Sequence, residues 1–368
     1  MFIKKIKLKN FRNFNQQEFE FNNRIVIIEG QNGSGKTSLL ESIYYACFFK
    51  SFRTNQPKDL IKIEDAYFFT EFDFEDEFNN TNQIQVALSA IDGRLIKLNK
   101  NPITSYKQII SKYKVISLIE DDLSLVQGAP EERRTFLNQF LMLQDPEVIN
   151  ELKEFKKILL QRNEIIKNAT EKNKDLSTEK NSEFYIWSKQ LWDKTIIIQK
   201  RRISYLKLLE SKVNDLLDTY LKNENLSISF EYKAKKINAA ETFENFWLRY
   251  PTKIKDEELR WGRSMFGAHL DDFLIVFQEK KARSFSSRGQ QKLILFLIKA
   301  AQVIELQEKG GQPGFLIDDF LTDFDENRMQ SCLDILQKIK GQIFITCPIK
   351  SYLSPKISKE SEIQTIIL

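Results

Sequence analysis

The sequence predicts an α/β fold in which buried parallel strands sit beside an antiparallel β layer, with a helical domain inserted between the two halves. Three observations carry that prediction. Four consecutive β-branched residues, Ile25 to Ile28, precede a glycine-rich loop and then apolar residues at helical spacing, the order of a buried strand, a tight loop and a helix. Much of the first hundred residues alternates apolar and polar positions, as half-buried antiparallel strands do. From about Pro130 to Arg260 that alternation gives way to segments rich in Lys, Glu and Leu, and Gly262 returns to strand-and-loop chemistry. The expected organisation is residues 1–128, an inserted helical domain at 129–260, and 261–368.

Taken in order, KIKLKNF places Ile6, Leu8 and Phe11 on one strand face, EFEF repeats the pattern, and RIVII follows as the buried strand. Leu39, Leu40, Ile43, Ala46 and Cys47 then share one face of a helix. AYFFTEFDF, QIQVALSA and GRLIKLNK are further strands, the last two joined by an Asp92-Gly93 hairpin turn, and VISLIE is another. EERRTFLNQFL, PEVINELKEFKKILLQRNEIIKNA, the long stretch from FYIW to NDLL, and ETFENFWLRY read as helices; residues 169–183 read as a polar loop between two of them. Leu293, Phe296, Leu297, Ala300 and Ile304 form the inward face of a later helix, and Phe315 to Ile317 a short buried strand ending in Asp318-Asp319.

Composition narrows the class. The 368 residues are 42% hydrophobic and 29% charged, which suits a globular chain with a large core. No run approaches a membrane span, and the start, FIKKIKLKNF, lacks the apolar block of a secretory signal. Cys47, Cys332 and Cys347 lie far apart in apolar surroundings, as buried thiols of a reducing compartment do, so a cytoplasmic setting without membrane attachment is expected. A single histidine, His269, and no cysteine cluster argue against structural zinc. The formal charge of +5 permits a polyanionic partner without demanding one.

The chemistry concentrates in two places. Gly30, Gly35, Lys36 and Thr37 fit Gly-x4-Gly-Lys-Thr, and the segment Gly30-Gln31-Asn32-Gly33-Ser34-Gly35-Lys36-Thr37-Ser38 stands between strand and helix. Backbone N–H groups of such a loop wrap a phosphate, and the helix N-terminus adds its positive dipole end. In that arrangement Lys36 reaches the β- and γ-phosphates of a nucleotide and the Thr37 hydroxyl holds Mg²⁺. Asp318, at a strand tip, is a candidate metal-linked carboxylate, and Asp319 a candidate for orienting or activating water. Some thirty residues earlier, Ser287, Gly289 and Gln290 open the long helix, where they would by themselves pass as a cap. Lys200, Arg201, Arg202, Tyr205 and Lys207 read either as a solvated helix face around core aromatics or as part of a DNA-backbone contact surface.

The ordered set KNFRNF, EGQNGSGKTSLLESIY, LSLVQGAPEERRTFL, FGAHLDDF, SSRGQQK, LIDDFLTDFD and QIFIT resembles the RecF family of SMC/ABC-type ATPases over nearly the whole chain, most weakly over residues 150–260. The resemblance implies an ABC-type P-loop ATPase head and a nucleotide, ATP with Mg²⁺, held by Gly30 to Ser38 and near Arg12. It also implies that Ser287, Gly289 and Gln290 form a signature motif meeting the γ-phosphate bound by the opposite subunit, so that Lys36, Asp319 and Ser287 together carry catalysis. Thr37 and Asp318 become the metal residues, and Thr322 to Asp325 the loop crossing the dimer interface. The implied activity is weak, DNA-stimulated ATP hydrolysis that gates a homodimer on single- and double-stranded DNA or gap junctions. The implied partners are RecR and RecO, in recombinase loading and SOS induction.

The resemblance assigns no role to His269, Asp271 and Asp272. ISLIEDD departs from the expected Phe-x-Pro-Glu-Asp, and Thr346-Cys347-Pro348 stands where transporter ATPases carry a switch histidine. A transporter-associated or anti-phage ATPase subunit is the alternative. The missing histidine, the insertion and the Phe-Arg-Asn start count against the former, and the lack of a carboxylate-rich nuclease segment after QIFIT counts against the latter.

Overall fold

The structure is a computed structural model that describes residues 2–75, 80–103, 107–222, 226–237, 240–321, 324–348 and 363–368. The chain divides into two compact units, one comprising Met1–Leu123, Lys212–Leu226 and Ser286–Leu368, the other Ser124–Ser211 and Ser227–Phe285. Among the described residues no helix is long and apolar enough to cross a membrane.

The first unit starts with β1 (Phe2–Phe11) and β2 (Phe14–Glu20), whose alternation buries Ile6, Leu8, Phe11 and Phe19 on one face. β3 (Ile25–Glu29) is buried throughout and leads through the glycine loop into α1 (Lys36–Phe48). β4 (Tyr67–Glu75), β5 (Thr81–Ser89), β6 (Gly93–Leu98) and β7 (Asn101–Pro102) extend an antiparallel sheet in the order β2-β1-β4-β5-β6-β7. Next come α2 (Lys107–Lys112) and the buried β8 (Val115–Leu118). The core under α1 joins Ile6 and Phe72 of the antiparallel sheet to Val26, Ile28, Leu316 and Phe344 of the second sheet, with Leu39 and Ile43 among them. Three of the four lysines of β1 are paired in place: Lys4 meets Glu75 at 2.7 Å, Lys7 meets Glu71 at 2.8 Å, and Lys5 pairs with Glu18 and Glu20.

The second unit contains α3 (Ser124–Gln127), α4 (Pro130–Gln144), α5 (Val148–Glu171) and most of α6 (Glu183–Tyr220). β9 (Ile228–Lys233), α7 (Phe243–Lys253), α8 (Lys255–Trp261), β10 (Asp272–Phe277), β11 (Lys280–Lys281) and α9 (Ala282–Phe285) complete it. This differs from the expected boundaries at 128 and 260. β10 pairs antiparallel with β9, from Asp272 opposite Lys233 to Phe277 opposite Ile228, so residues 261–285 belong with the insertion. The insertion is therefore helices plus a three-stranded sheet, β11-β10-β9.

Its centre is a fully buried ion pair. Arg162 gives Nη1 and Nη2 to the Glu258 oxygens at 2.9 and 2.7 Å, while its guanidinium lies 4.4 to 4.6 Å from the Phe266 and Phe184 rings.

The chain then returns to the first unit with α10 (Arg288–Glu308), β12 (Gly314–Ile317), α11 (Glu326–Gln337), β13 (Ile343–Cys347) and β14 (Ile363–Ile367). The second sheet is parallel, in the order β14-β3-β13-β12-β8, which sets β3 between β13 and β14 and carries the tips of β3 and β12 to one edge.

Candidate functional site

The loop after β3 turns because two glycines sit where no side chain fits. A Cβ on Gly30 would lie 2.3 Å from Ser34 Oγ, and one on Gly35, at φ 110°, would lie 2.8 Å from Asn13 Nδ2 and from the Phe14 ring. Gly35 caps α1, so the first N–H groups of the helix face the loop. The loop borders a cavity of about 630 Å³ lined by Gln31, Asn32, Gly33, Gly35, Lys36, Thr37 and Ser38 from the predicted set, together with Arg12 and Asp319. Gly30 and Ser34 are not among the lining residues, and the buried Ser34 Oγ has no hydrogen-bond partner.

Lys36 points back into the loop. Its Nζ donates to the carbonyls of Gly30 at 2.9 Å and Gln31 at 3.3 Å, and stands 3.9 Å from Asp319 Oδ2. The Thr37 hydroxyl reaches Asp318 Oδ1 and Oδ2 at 3.0 and 2.8 Å, so residues 281 positions apart meet because β3 and β12 end at the same sheet edge. Burial holds the Asp318 carboxyl above the usual carboxylate range, although hydrogen bonds from Thr346 and Thr37 oppose the shift. A hydroxyl and a carboxylate this close are hard oxygen donors, the set that suits Mg²⁺ with phosphate and water as its remaining ligands.

Arg12 has left-handed backbone, φ 54°. Its Nε and Nη2 donate to the two oxygens of Glu41 at 2.8 and 2.7 Å, and its Nη1 to the Asp59 carbonyl at 2.8 Å. Glu41 is completely buried, also accepts from Ser51, and lies 3.7 Å from Arg53 Nη1, so one carboxylate holds two cavity arginines. In the sequence Glu41 is marked only by a charge in the middle of the apolar run LLESI.

Ser287, Gly289 and Gln290 are not part of the cavity lining. They open α10 through a reciprocal capping box, in which the Gln290 N–H donates to Ser287 Oγ at 3.3 Å and the Ser287 N–H to Gln290 Oε1 at 2.8 Å. Glu120, in the ISLIEDD segment, ties down the same turn through Arg288 and Lys292. Burial pushes the Glu120 carboxyl up, but Lys292 and Arg288 outweigh it and hold it below the usual range. Of the expected interface loop, Thr322 and Asp323 lie outside the described residues, and Asp325 caps α11 by accepting from the Arg328 N–H.

The unassigned Gly-x-His-x-Asp-Asp element is internal to the second unit. Asp271 is fully buried and accepts from Gln199 Nε2, the Tyr232 hydroxyl and the Lys235 N–H at 2.7 to 2.9 Å. Asp272 pairs with Arg133 of the PEERRTFL segment at 2.6 Å, so two of the sequence motifs meet as structural partners. Burial pushes the His269 imidazole down to about 4, which leaves it neutral at physiological pH. Of the five basic and aromatic residues on α6, Arg202 is buried against the Ala268 carbonyl and Tyr205 is buried and stacks on Phe140 at 4.5 Å, while the partly exposed Arg201 pairs with Asp145 and Glu151.

The RecF/RecN/SMC N-terminal domain family model matches residues 2–364. The chain is 30% identical to the DNA replication and repair protein RecF of Halalkalibacterium halodurans, covering 94% of this chain and 92% of the relative. It is also 30% identical to that of Chloroherpeton thalassium, covering 93% of each. A solved structure of the recombination mediator protein RecF with ATP, in the RecFOR pathway, superposes with a TM-score of 0.82 at 25% identity over 95% of this chain and 93% of that one. An Smc head bound to the C-terminal winged-helix domain of ScpA shares the fold at a TM-score of 0.56 and 13% identity, over 100% of this chain and 95% of that one. The architecture is that of an ABC-type ATPase head with an antiparallel layer and an inserted unit, and over nearly its full length the chain belongs to the RecF family of DNA replication and repair proteins.

Proposed function

We propose that this chain is an ATP-dependent DNA-binding protein of recombinational repair, a homodimer that closes on ATP and opens on hydrolysis. The observation that carries this reading is the convergence of Lys36, the Thr37–Asp318 pair and Asp319 at one cavity edge. Lys36 would exchange its loop carbonyls for the β- and γ-phosphates, and Arg12, Gln31 to Gly35 and Ser38 would line the nucleotide. Thr37 and Asp318 would hold Mg²⁺, which supplies charge neutralisation at the phosphates. Asp319, 42% exposed at the cavity and 3.9 Å from Lys36, is the carboxylate suited to accept a proton from water.

The signature residues Ser287, Gly289 and Gln290 lie outside this cavity, which suits a site completed by a second copy of the chain. Binding would then assemble the dimer, and slow hydrolysis would take it apart. DNA would be met mainly through phosphates, at gaps and single-strand/duplex junctions, with RecO and RecR as partners in recombinase loading and SOS induction in the cytoplasm.

The test is anisotropy of a fluorescent gapped duplex with ATP, with ADP and without nucleotide, at two salt concentrations. Tight binding only with ATP, weakening with salt, is expected; binding indifferent to nucleotide would separate the ATPase from DNA and overturn the gate.

A further inference from the structure

The switch region carries no histidine, and the structure places a buried hydroxyl there that touches both acidic residues. Thr346, at the end of β13, is 1% exposed. Its hydroxyl donates to Asp318 Oδ1 at 2.8 Å and accepts from the Asp319 N–H at 2.8 Å. The same oxygen is 3.4 Å from Asp319 Oδ1, so rotation about its Cβ–Oγ bond carries the proton to either carboxylate. β12 ends at Ile317, and Asp318 still donates to the Leu118 carbonyl of the neighbouring strand. Asp319 leaves that ladder. Its backbone is left-handed, φ 46°, a conformation an aspartate holds only when its surroundings enforce it. The Thr346 hydroxyl receives the N–H that this turn releases, and the turn aims the Asp319 carboxylate toward Lys36.

We propose that Thr346 is a positioning residue of the hydrolytic centre: one hydroxyl sets the backbone turn of Asp319 and the rotamer of Asp318 together. It acts through these aspartates and touches no nucleotide. The inference rests on the ATPase reading of the site and deepens it. Valine keeps the shape and packing of the strand and removes only the hydrogen bonds, whereas serine keeps the hydroxyl and removes only a methyl group.

The experiment uses the full chain and compares Thr346→Val, Thr346→Ser and Lys36→Ala with the wild type. Steady-state ATP turnover is read alongside binding of a non-hydrolysable ATP analogue with Mg²⁺. A catalytic group displaced by about 1 Å loses roughly 100-fold in rate, so Thr346→Val is expected to lower kcat by about 10- to 100-fold, with KM and analogue affinity within about twofold. Thr346→Ser is expected to stay within about threefold of wild type in every reading. Wild-type kcat in Thr346→Val, a loss confined to KM, or an equal loss in Thr346→Ser would each overturn the proposal. If Thr346→Val does not fold, Thr346→Ala is compared with Thr346→Ser, the two differing only in the hydroxyl, and a kcat in the alanine variant equal to that of the serine variant overturns the proposal. Lys36→Ala separates the two levels: turnover unaffected by that change sinks the ATPase reading, whereas turnover lost there but intact in Thr346→Val sinks only the role of Thr346.

Discussion

Removing the Lys36 ammonium is the sharpest single perturbation of the cavity. In the structure the group is 4% exposed and satisfied by two loop carbonyls, the nearer at 2.9 Å. With ATP present it would exchange those neutral acceptors for phosphate oxygens. A hydrogen bond to a charged group contributes about 1.5–3 kcal/mol, and each 1.4 kcal/mol is tenfold in affinity, so Lys36→Ala should weaken ATP by about 10- to 140-fold. The fold should survive, since alanine is a good residue for the first turn of α1 and the glycines that shape the loop remain. Titration of a fluorescent ATP, with AMP as competitor, isolates the cause, because AMP lacks the β- and γ-phosphates. ATP affinity should fall while AMP affinity stays within about twofold. If AMP weakens as much as ATP, Lys36 is holding the loop in shape and the phosphate contact is refuted; unchanged ATP affinity refutes it outright.

Asp319→Asn should bind ATP and accumulate as a dimer by light scattering, since the metal residues remain while proton acceptance is lost; normal turnover would remove Asp319 from the mechanism. Ser287→Arg should leave ATP affinity intact and abolish ATP-dependent dimerisation, at a capping cost of about 1 kcal/mol; a normal dimer would exclude the composite site. Asp318→Asn bears on pH. A carboxyl whose folded pKa is raised contributes fully to stability below its unfolded value of about 3.9 and loses that contribution as pH rises through the folded value. At pH 7 to 8 the asparagine should therefore raise the melting temperature of the nucleotide-free protein, and the gain should vanish below pH 4; an equal gain at both would point to packing instead. Glu258→Ala should destabilise the second unit by about 3–5 kcal/mol in urea unfolding, because it strands Arg162 among aromatic rings. A loss under 1 kcal/mol would mean that water reaches the guanidinium.

What could be read from the sequence was local. The run Ile25 to Ile28, the spacing of Gly30, Gly35 and Lys36, and the apolar run ending in Asp318-Asp319 each state their chemistry within a few residues, and the structure brings them to one edge. What escaped depends on partners elsewhere in the chain. DFLIVF looks the same whether it pairs with β9 or with a strand of the ATPase sheet, and only the observed register puts it in the insertion. The alternation of ISFEYK was submerged in a lysine-rich helical stretch, and β14 is a five-residue strand whose identity comes from pairing with β3. Arginines on α6 look alike in sequence whether they face solvent or, as Arg202 does, a buried carbonyl. Thr346 gave no sign of its two partners, because both lie across the strand ends.

The position of β3 has a consequence during synthesis. Both hydrogen-bonding edges of this strand are taken by segments made late, β13 at Ile343–Cys347 and β14 at Ile363–Ile367. At about 5–20 residues per second, the interval between Glu29 and Ile343 leaves an apolar strand with two bare edges for roughly 15–60 s after it is made. A nascent chain in that state is a template for pairing with its neighbours on the same message. Folding of the nucleotide site therefore waits on β13 and β14, and a stall or a frameshift near β13 would release a polypeptide that contains every residue of the glycine loop yet lacks both strands that pair with β3.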